Sequence, residues 1–110
     1  MILRSEVVEE RIVVFGYEAE DDVPYVLRTE LIVREGTARV EGLMSKRLLR
    51  PREVAELLGY LEGLAVKAGA KELEAFTDPQ HQRLYERHGF RFVGHTEVAG
   101  RELAVMRKEV

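Results

Sequence analysis

The sequence predicts an α/β fold of the α+β type, in which a mixed, mostly antiparallel sheet carries two helices. Three runs rich in β-branched and aromatic residues come first, and a long segment of helical period follows them. A short helical stretch then lies between further strand-like runs. Because the connections between consecutive strands are short, neighbouring strands should run antiparallel. The predicted order is β-β-β-α-β-α-β-β.

Residues 6–17 (EVVEERIVVFGY), 25–33 and 37–44 are the first three predicted strands. An acidic segment that ends in a proline, residues 18–24, is the predicted loop between the first two. Residues 34–36 form a tight turn before the third. These three strands should form an antiparallel meander.

Residues 51–68 change to a helical period and place their apolar residues in one stripe. Pro51 suits the first helical position, and Gly69 suits a left-handed cap after the last turn. Gly59 and Gly63 lie four residues apart inside this helix. We interpret them as packing positions that allow a close approach of the helix to the sheet.

Residues 71–77 alternate as a strand, and Asp78–Pro79 then begins a short helix, because aspartate caps helix starts and proline suits the first turn. Gly89 is the expected left-handed cap at the end of this helix. Residues 90–97 and 101–108 are the last two predicted strands.

Composition limits the function classes. All residues 1–110 form a single domain, since a second would have no core of its own. The formal net charge is −3, which is not the basic excess that binds nucleic acids. The chain has no cysteine, and its histidines (His81, His88 and His95) lack carboxylates at metal-ligand spacing. We therefore expect neither a nucleic-acid partner nor a metal site.

The sequence also indicates where the protein acts. No apolar run reaches about 18 residues, so we expect no membrane span or membrane partner. The first ten residues lack the apolar core of a signal peptide, and a cytoplasmic location is expected. Asparagine and cysteine are absent while arginine and glutamate are plentiful, which is a thermophile-like composition.

A family resemblance adds to these observations. The run LYERHGF at residues 84–90, followed by Val93–Gly94, resembles the C-terminal motif of GNAT-type N-acyltransferases, in which a Tyr-Glu-Lys-x-Gly-Phe run precedes a strand. The run AGAKELEAF at residues 68–76 resembles the family's helix end and next strand. The resemblance covers residues 10–108. It implies a GNAT domain without the family's N-terminal helical pair, because only the acidic loop lies where those helices would fall.

The resemblance implies acetyl-CoA-dependent transfer of an acyl group to an amine by direct attack. Tyr85 matches the family's tyrosine that protonates the thiolate leaving group; the alternative is a half-buried tyrosine that packs its helix onto the sheet. A general base would be a carboxylate or an ordered water on the central strands, and Glu41 and Glu74 are the candidates. Glutamates that are merely exposed on a strand are commoner than catalytic ones, and the sequence does not choose between Glu41 and Glu74.

In the family, the cofactor pyrophosphate rests on backbone N–H groups of a glycine-containing loop at the start of the central helix. The matching stretch here, residues 49–54, lacks those glycines, and Pro51 removes one N–H donor. The resemblance assigns acetyl-CoA contacts to Met44, Arg50, Arg52, Glu53 and Val54. Arginine side chains, Arg47 among them, hold the phosphates in one interpretation. In the other, they form a solvated basic turn paired with Glu53 and Glu56.

The altered loop leaves a second function open: a GNAT-like binding or structural module that does not turn over acetyl-CoA. In the enzyme interpretation, the acceptor is a small-molecule or peptide amine. Pairing between subunits would satisfy any unpaired edge of the first and last strands, which predicts a homodimer through sheet edges.

Overall fold

The structure, a computed structural model, describes residues 1–19 and 24–110. Its strands are β1 (Ile2–Val8), β2 (Arg11–Tyr17), β3 (Leu27–Arg34), β4 (Thr37–Ser45), β5 (Glu72–Thr77), β6 (Arg91–Val98) and β7 (Arg101–Glu109). The helices are α1 (Pro51–Lys67) and α2 (Gln82–Arg87), and a 3₁₀ turn at Pro79–His81 leads into α2.

The seven strands form one sheet in the order β1-β2-β3-β4-β5-β7-β6. Neighbouring strands are antiparallel everywhere except between β4 and β5, which run parallel. Parallel neighbours need a long crossover, and α1 provides it. The predicted fold class, a mixed and mostly antiparallel sheet with two helices, is confirmed.

The prediction of a single strand over residues 6–17 is wrong, because the chain turns within this stretch. The end of β1, a turn at Glu9 and Glu10, and β2 share it, so one more strand precedes the predicted order. Glu9 takes a left-handed φ of 58°. Two-residue hairpins usually place Asn, Asp or Gly in that conformation. Since none of these residues is present, the stretch carries no turn signal.

The other predicted strands and the long helix lie within about two residues of the observed ones, which is the usual uncertainty of element ends. Gly69 and Gly89 take left-handed φ values of 81° and 89°, as predicted for caps. Asp78 accepts a hydrogen bond from the Gln80 N–H at 3.4 Å and so begins the 3₁₀ turn. Of the predicted acidic loop, residues 20–23 lie outside the described residues.

Apolar side chains between α1 and the sheet form the core. Leu57 and Leu61 of α1 are buried against a sheet face that includes Leu31 and Leu73. Tyr85 of α2 packs against the same core, so both helices lie on one face. In the part of the chain that the structure describes, the opposite face carries no helix and is covered by ion-paired side chains. This face also carries a cavity of about 390 Å³, whose lining includes Ile32, Arg39 and Glu41.

The expected close approach at Gly59 and Gly63 is wrong. Both residues are exposed, and a Cβ built on either one would meet nothing within 4 Å. The helix turns Leu57 and Leu61 toward the sheet instead, and the two glycines lie on the solvent side. Their spacing therefore reflects no packing constraint on α1.

Gly59→Ala and Gly63→Ala should each raise the free energy of unfolding by about 1 kcal/mol, because alanine has the better helix propensity and neither site offers a clash. Gly69→Ala is the matched control: its φ of 81° strains an alanine, and the variant should lose about 1 kcal/mol. Urea unfolding followed by circular dichroism measures all three. A loss of stability at Gly59 or Gly63 would contradict this account of α1.

Candidate functional site

A cleft opens where β4 and β5 separate. The two strands are paired at three positions: Thr37 with Glu72, Ala38 with Leu73 and Arg39 with Glu74. Beyond Arg39 and Glu74 they diverge, and residues 40–45 no longer pair with residues 75–77. The facing N–H and C=O groups of these segments therefore do not satisfy one another, and they line the two sides of the opening.

The cleft encloses a cavity of about 790 Å³ between β4, β5, the start of α1, α2 and the β6–β7 hairpin. This volume lies in the range of small-molecule sites. Its apolar walls include Val40, Leu49, Val54, Leu58, Leu84 and Leu103. The polar side chains on it are fewer, and they include Thr77, Tyr85, His81 and Glu41. An apolar cavity with a few convergent polar groups is the usual form of a ligand site.

A β-bulge shapes the β4 side of the cleft. The register of β3 with β4 shifts between Arg28 and Glu30, so that Gly42 and Leu43 together stand opposite Thr29. Gly42 takes a φ of 63°, and the Thr29 hydroxyl donates to the Glu41 carbonyl at 3.0 Å. Bulges bend a strand and re-aim its side chains. Here the bulge lies in the segment that borders the cavity.

Tyr85 lies on α2, and its side chain borders the cavity. Its ring meets Phe90 edge-on, with centroids 5.5 Å apart and planes at 84°. The Thr77 side chain lies beside the Tyr85 hydroxyl, and both residues line the cavity. Burial raises the pKa of the hydroxyl above its ordinary 10.0, and the polar Thr77 side chain opposes that shift only in part. Tyr85 is therefore a neutral phenol, and a proton donor, throughout the physiological range.

Thr77 is a site residue that the sequence reasoning did not single out. It ends β5, is buried, and directly precedes the Asp78–Pro79 helix start. A polar residue on the inward face at the end of a buried strand is a signal that could have identified it, since such side chains need a partner.

The start of α1 is occupied by a carboxylate of the chain itself. Glu53 accepts the Arg50 N–H at 3.0 Å and takes a bidentate ion pair from Arg47, with N–O distances of 2.8 and 2.6 Å. Arg47 is hydrogen-bonded to Glu18 as well. The Arg47 hydrogen bonds and the Arg50 N–H lower the pKa of Glu53 to about 2. The helix terminus is thus already neutralised by an anion.

The other residues assigned to cofactor contacts lie at different depths. Arg50 is exposed at the cap position of α1, and Arg52 is exposed with its guanidinium 3.9 Å from Glu56. Val54 is half-buried and lines the cavity. Met44 is 67% exposed and is not among the cavity-lining residues. The Arg47–Glu53 ion pair agrees with the interpretation of this segment as a paired basic turn, whereas Arg52 has only a long, exposed contact with Glu56 and remains accessible to a ligand.

The two candidate bases are placed differently. Glu41 borders the cavity, with a carboxylate oxygen 3.8 Å from Arg39. The Glu74 carboxylate is buried on the helix-free face, where it accepts from Arg39 at 2.9 Å and from Arg107 at 2.7 Å. Both of its oxygens are thus engaged by guanidinium groups. Glu41 reaches the cleft, and Glu74 does not.

The three histidines are dispersed. His81 borders the cavity, His88 follows α2, and His95 lies on β6 with Nδ1 3.3 Å from Glu102. Among the described residues, no group of three or more histidine, cysteine, aspartate or glutamate side chains is arranged to hold a metal ion. None of the described helices has the length and apolar content that crossing a membrane requires.

No family model and no curated protein matches the sequence. Solved structures match it over most of its length. The aminoglycoside 6'-N-acetyltransferase from Enterococcus faecium is 19% identical, with a TM-score of 0.71 over 93% of this chain and 76% of that one. An acyl-CoA N-acyltransferase from Pseudomonas aeruginosa is 15% identical, with a TM-score of 0.72 over 92% and 70%. A Bacillus subtilis acetyltransferase in complex with CoA is 18% identical, with a TM-score of 0.71 over 94% and 79%.

The chain therefore has a GNAT-type fold, as the LYERHGF run predicted. At identities of 15–23%, the likeness to solved structures establishes this fold and leaves the activity to be argued from the site.

Glu53→Gln should destabilise the protein at neutral pH and lose its effect in acid. The folded-state pKa of Glu53 is about 2, below the ordinary 4.5. Its carboxylate therefore contributes stability above about pH 4.5, and this contribution fades as the pH falls toward 2. Chemical unfolding of wild type and variant across this window should give converging free energies of unfolding.

Glu56→Gln is the control for this comparison. It removes a half-exposed carboxylate that is 3.9 Å from Arg52 on the same helix, so it should change the free energy of unfolding little at any pH. A gap between wild type and Glu53→Gln that stays constant down to pH 2 would contradict the role assigned to this ion pair.

Proposed function

We propose that this protein transfers an acyl group from an acyl-CoA thioester, acetyl-CoA in the simplest case, to an amine by direct attack in the cleft between β4 and β5. The observation that carries the proposal is the neutral Tyr85 hydroxyl, beside Thr77, on the wall of a cavity that two diverging strand edges border. A thioester carbonyl in this cavity would lie between an available proton donor and unpaired backbone groups.

The cleft suits an extended ligand that carries amide groups. Such a chain pairs with an open strand edge in the way that an added β-strand does. The pantetheine arm of CoA has this form, and residues 40–45 of β4 offer the edge. The apolar walls around Val54 and Leu58 would cover the arm's methylene groups.

The start of α1 does not suit a pyrophosphate bound by backbone N–H groups. Glu53 already accepts the Arg50 N–H, and Pro51 has none to donate. We infer that the phosphates lie outside the helix start and are held by the side chains of Arg50 and Arg52. Both are exposed beside the cavity wall formed by Val54. Guanidinium groups bind phosphate oxygens in pairs, so two arginines provide a sufficient contact.

In the reaction, the amine nitrogen bonds to the acyl carbon and the carbon–sulfur bond breaks. Tyr85 donates its proton to the departing thiolate and is reprotonated from solvent. The acceptor must also lose a proton, and we take Glu41 as the base, either in contact with the amine or through a water. Asp78 also borders the cavity, but it is ion-paired with Arg101 at 3.0 Å.

Addition of acetyl-CoA, or of CoA, should raise the melting temperature, because a ligand that binds only the folded state stabilises it by mass action. At a concentration of about 100 times the dissociation constant, the gain in unfolding free energy is about 2.7 kcal/mol. Calorimetric titration provides the affinity. No response to either compound would overturn the enzyme proposal and favour a GNAT-like module without catalysis.

The Arg50→Ala/Arg52→Ala double variant tests phosphate binding separately from binding of the pantetheine arm of CoA. It should weaken CoA binding by about tenfold, equal to 1.4 kcal/mol, and leave pantetheine binding unchanged. Arg83→Ala is the matched control, since that arginine is exposed on α2 and does not border the cavity. CoA affinity that survives the double variant would exclude phosphate capture by these side chains.

Tyr85→Phe should keep the affinity for CoA and reduce kcat by about a hundredfold, because it removes the proton donor and little volume. Thiol release with a panel of small primary amines measures turnover, and the absence of cysteine keeps the protein itself silent in this assay. Tyr60→Phe is the control: its hydroxyl donates to Ser5, away from the cleft, and kcat should not change. Unchanged turnover in Tyr85→Phe would remove this tyrosine from the mechanism.

A further inference from the structure

β1 is an edge strand of the sheet in the part of the chain that the structure describes. It carries Val7 and Val8, which are 75% and 48% exposed, the former being the second most exposed large apolar side chain among the described residues. A long edge strand with exposed apolar side chains invites pairing with another strand unless charges or bulges protect it. β1 pairs with β2 in continuous register and has no bulge.

The hydrogen bonding of Gly16 shows which backbone groups of β1 point to the free edge. The Gly16 carbonyl accepts from the Val26 N–H at 2.8 Å, so it points away from β1. Gly16 stands opposite Leu3, which makes this a non-hydrogen-bonded pair of the ladder. The N–H and C=O groups of Leu3, and by alternation those of Ser5 and Val7, therefore point outward. These three residues are the ones that a further antiparallel strand would bond.

The sequence of β1 is complementary to itself when it is reversed. It reads Ile-Leu-Arg-Ser-Glu-Val-Val, with one cation and one anion placed symmetrically about Ser5. In an antiparallel pair of two such strands centred on Ser5, Arg4 lies opposite Glu6 of the second copy. Leu3 then lies opposite Val7, and Ile2 lies opposite Val8. Unlike charges meet each other and apolar residues meet each other, at every position outside the centre.

Other pairings of two β1 strands are less favourable. A shift by one residue places residues whose backbone groups point to the free edge opposite residues whose backbone groups are bonded to β2, so the hydrogen bonds between the two copies cannot form. The registers centred on Arg4 or Glu6 keep the ladder but place two like charges directly opposite each other, which is destabilising. Registers centred nearer the ends of β1 pair fewer residues. The Ser5-centred register is the one that satisfies both the hydrogen bonds and the charges.

We propose that β1 is a self-association edge, through which two copies of this chain pair antiparallel about a twofold axis at Ser5. The axis is perpendicular to the sheet, so the interface is isologous and the helices of both copies lie on one face of a doubled sheet. Three hydrogen-bonded pairs, Leu3 with Val7, Ser5 with Ser5 and Val7 with Leu3, exchange two bonds each. Val7 and Val8 lose part of their exposure to water, on the side that faces the second copy.

The arrangement leaves the cleft open, because β1 is separated from β4 by two strands of the sheet. Tyr60 donates to the Ser5 hydroxyl at 3.0 Å, so α1 of each copy flanks the axis on the helix side. A single pair of seven-residue strands is small beside interfaces of about 1,600 Å². The dimer should therefore form and dissociate with protein concentration.

Sedimentation equilibrium tests the proposal through charge reversal. The wild type should shift from 12.6 kDa toward twice that mass as the concentration rises from micromolar to millimolar. Arg4→Glu places glutamate opposite Glu6, Glu6→Arg places arginine opposite Arg4, and each variant alone should stay monomeric. An equimolar mixture of the two should form a heterodimer, because every cross-strand charge pair is then of opposite sign. Because Arg4 also lies over the Tyr17 ring, 5.6 Å from its centroid, circular dichroism of each variant should show the wild-type fold before its mass is compared.

Glu97→Arg on β6 is the matched control at the other edge of the sheet, and it should dimerise as the wild type does. A register-specific test uses Ser5→Cys, since no other cysteine is present. Paired Ser5 positions lie about 5.5 Å apart between Cα atoms, a distance that a disulfide spans, so mild oxidation should yield a covalent dimer. Thr96→Cys on β6 should not crosslink. A wild type that is monomeric at millimolar concentration, or a mixture that stays monomeric, would overturn the proposal, as would a dimer that Glu97→Arg disrupts.

Discussion

The separation of β4 from β5 is the constraint on which the other features of the site depend. These strands are parallel neighbours joined by α1, and they stay together only as far as Arg39 and Glu74. At that last paired position the two side chains form an ion pair of 2.9 Å, and Arg107 of the next strand bonds the same carboxylate. The carboxylate is buried between two guanidinium groups, so its partners are hard to remove without a large cost. This cluster lies at the vertex from which the cleft opens.

The consequences follow along the chain. Since β4 leaves its neighbour, the bulge at Gly42 and Leu43 has room to bend the strand outward. On the other side, β5 ends in Thr77, and the short helix that begins after it places Tyr85 against the same space. The start of α1 differs from a helix terminus that is free to bind an anion. There, Glu53 and Arg47 neutralise the helix terminus from within the chain, and Pro51 has no N–H group to donate.

Much of the fold was predictable because it depends on local patterns. Apolar period and turn residues located five strands and the long helix to within about two residues, and the caps at Gly69 and Gly89 have the left-handed backbone that glycine favours. The exception is the hairpin at Glu9 and Glu10, where a glutamate occupies a position that sequence patterns reserve for Gly, Asn or Asp. The expected edge at the last strand is wrong, because β7 lies between β5 and β6. The register proposed for β1 is visible only once that strand is delimited.

The sequence by itself determined the order of elements from residue 25 onward, the GNAT-type motif and the place of Tyr85 on the short helix, since each depends on residues close together in the chain. Only the tertiary structure shows where the two candidate bases lie: Glu41 borders the cavity, and Glu74 is engaged across the sheet by Arg39 and Arg107. It also paired Glu53 with Arg47 and brought Thr77 to Tyr85. Such contacts join strands and helices that are distant in sequence, and the sheet's register, which no local pattern encodes, brings them together.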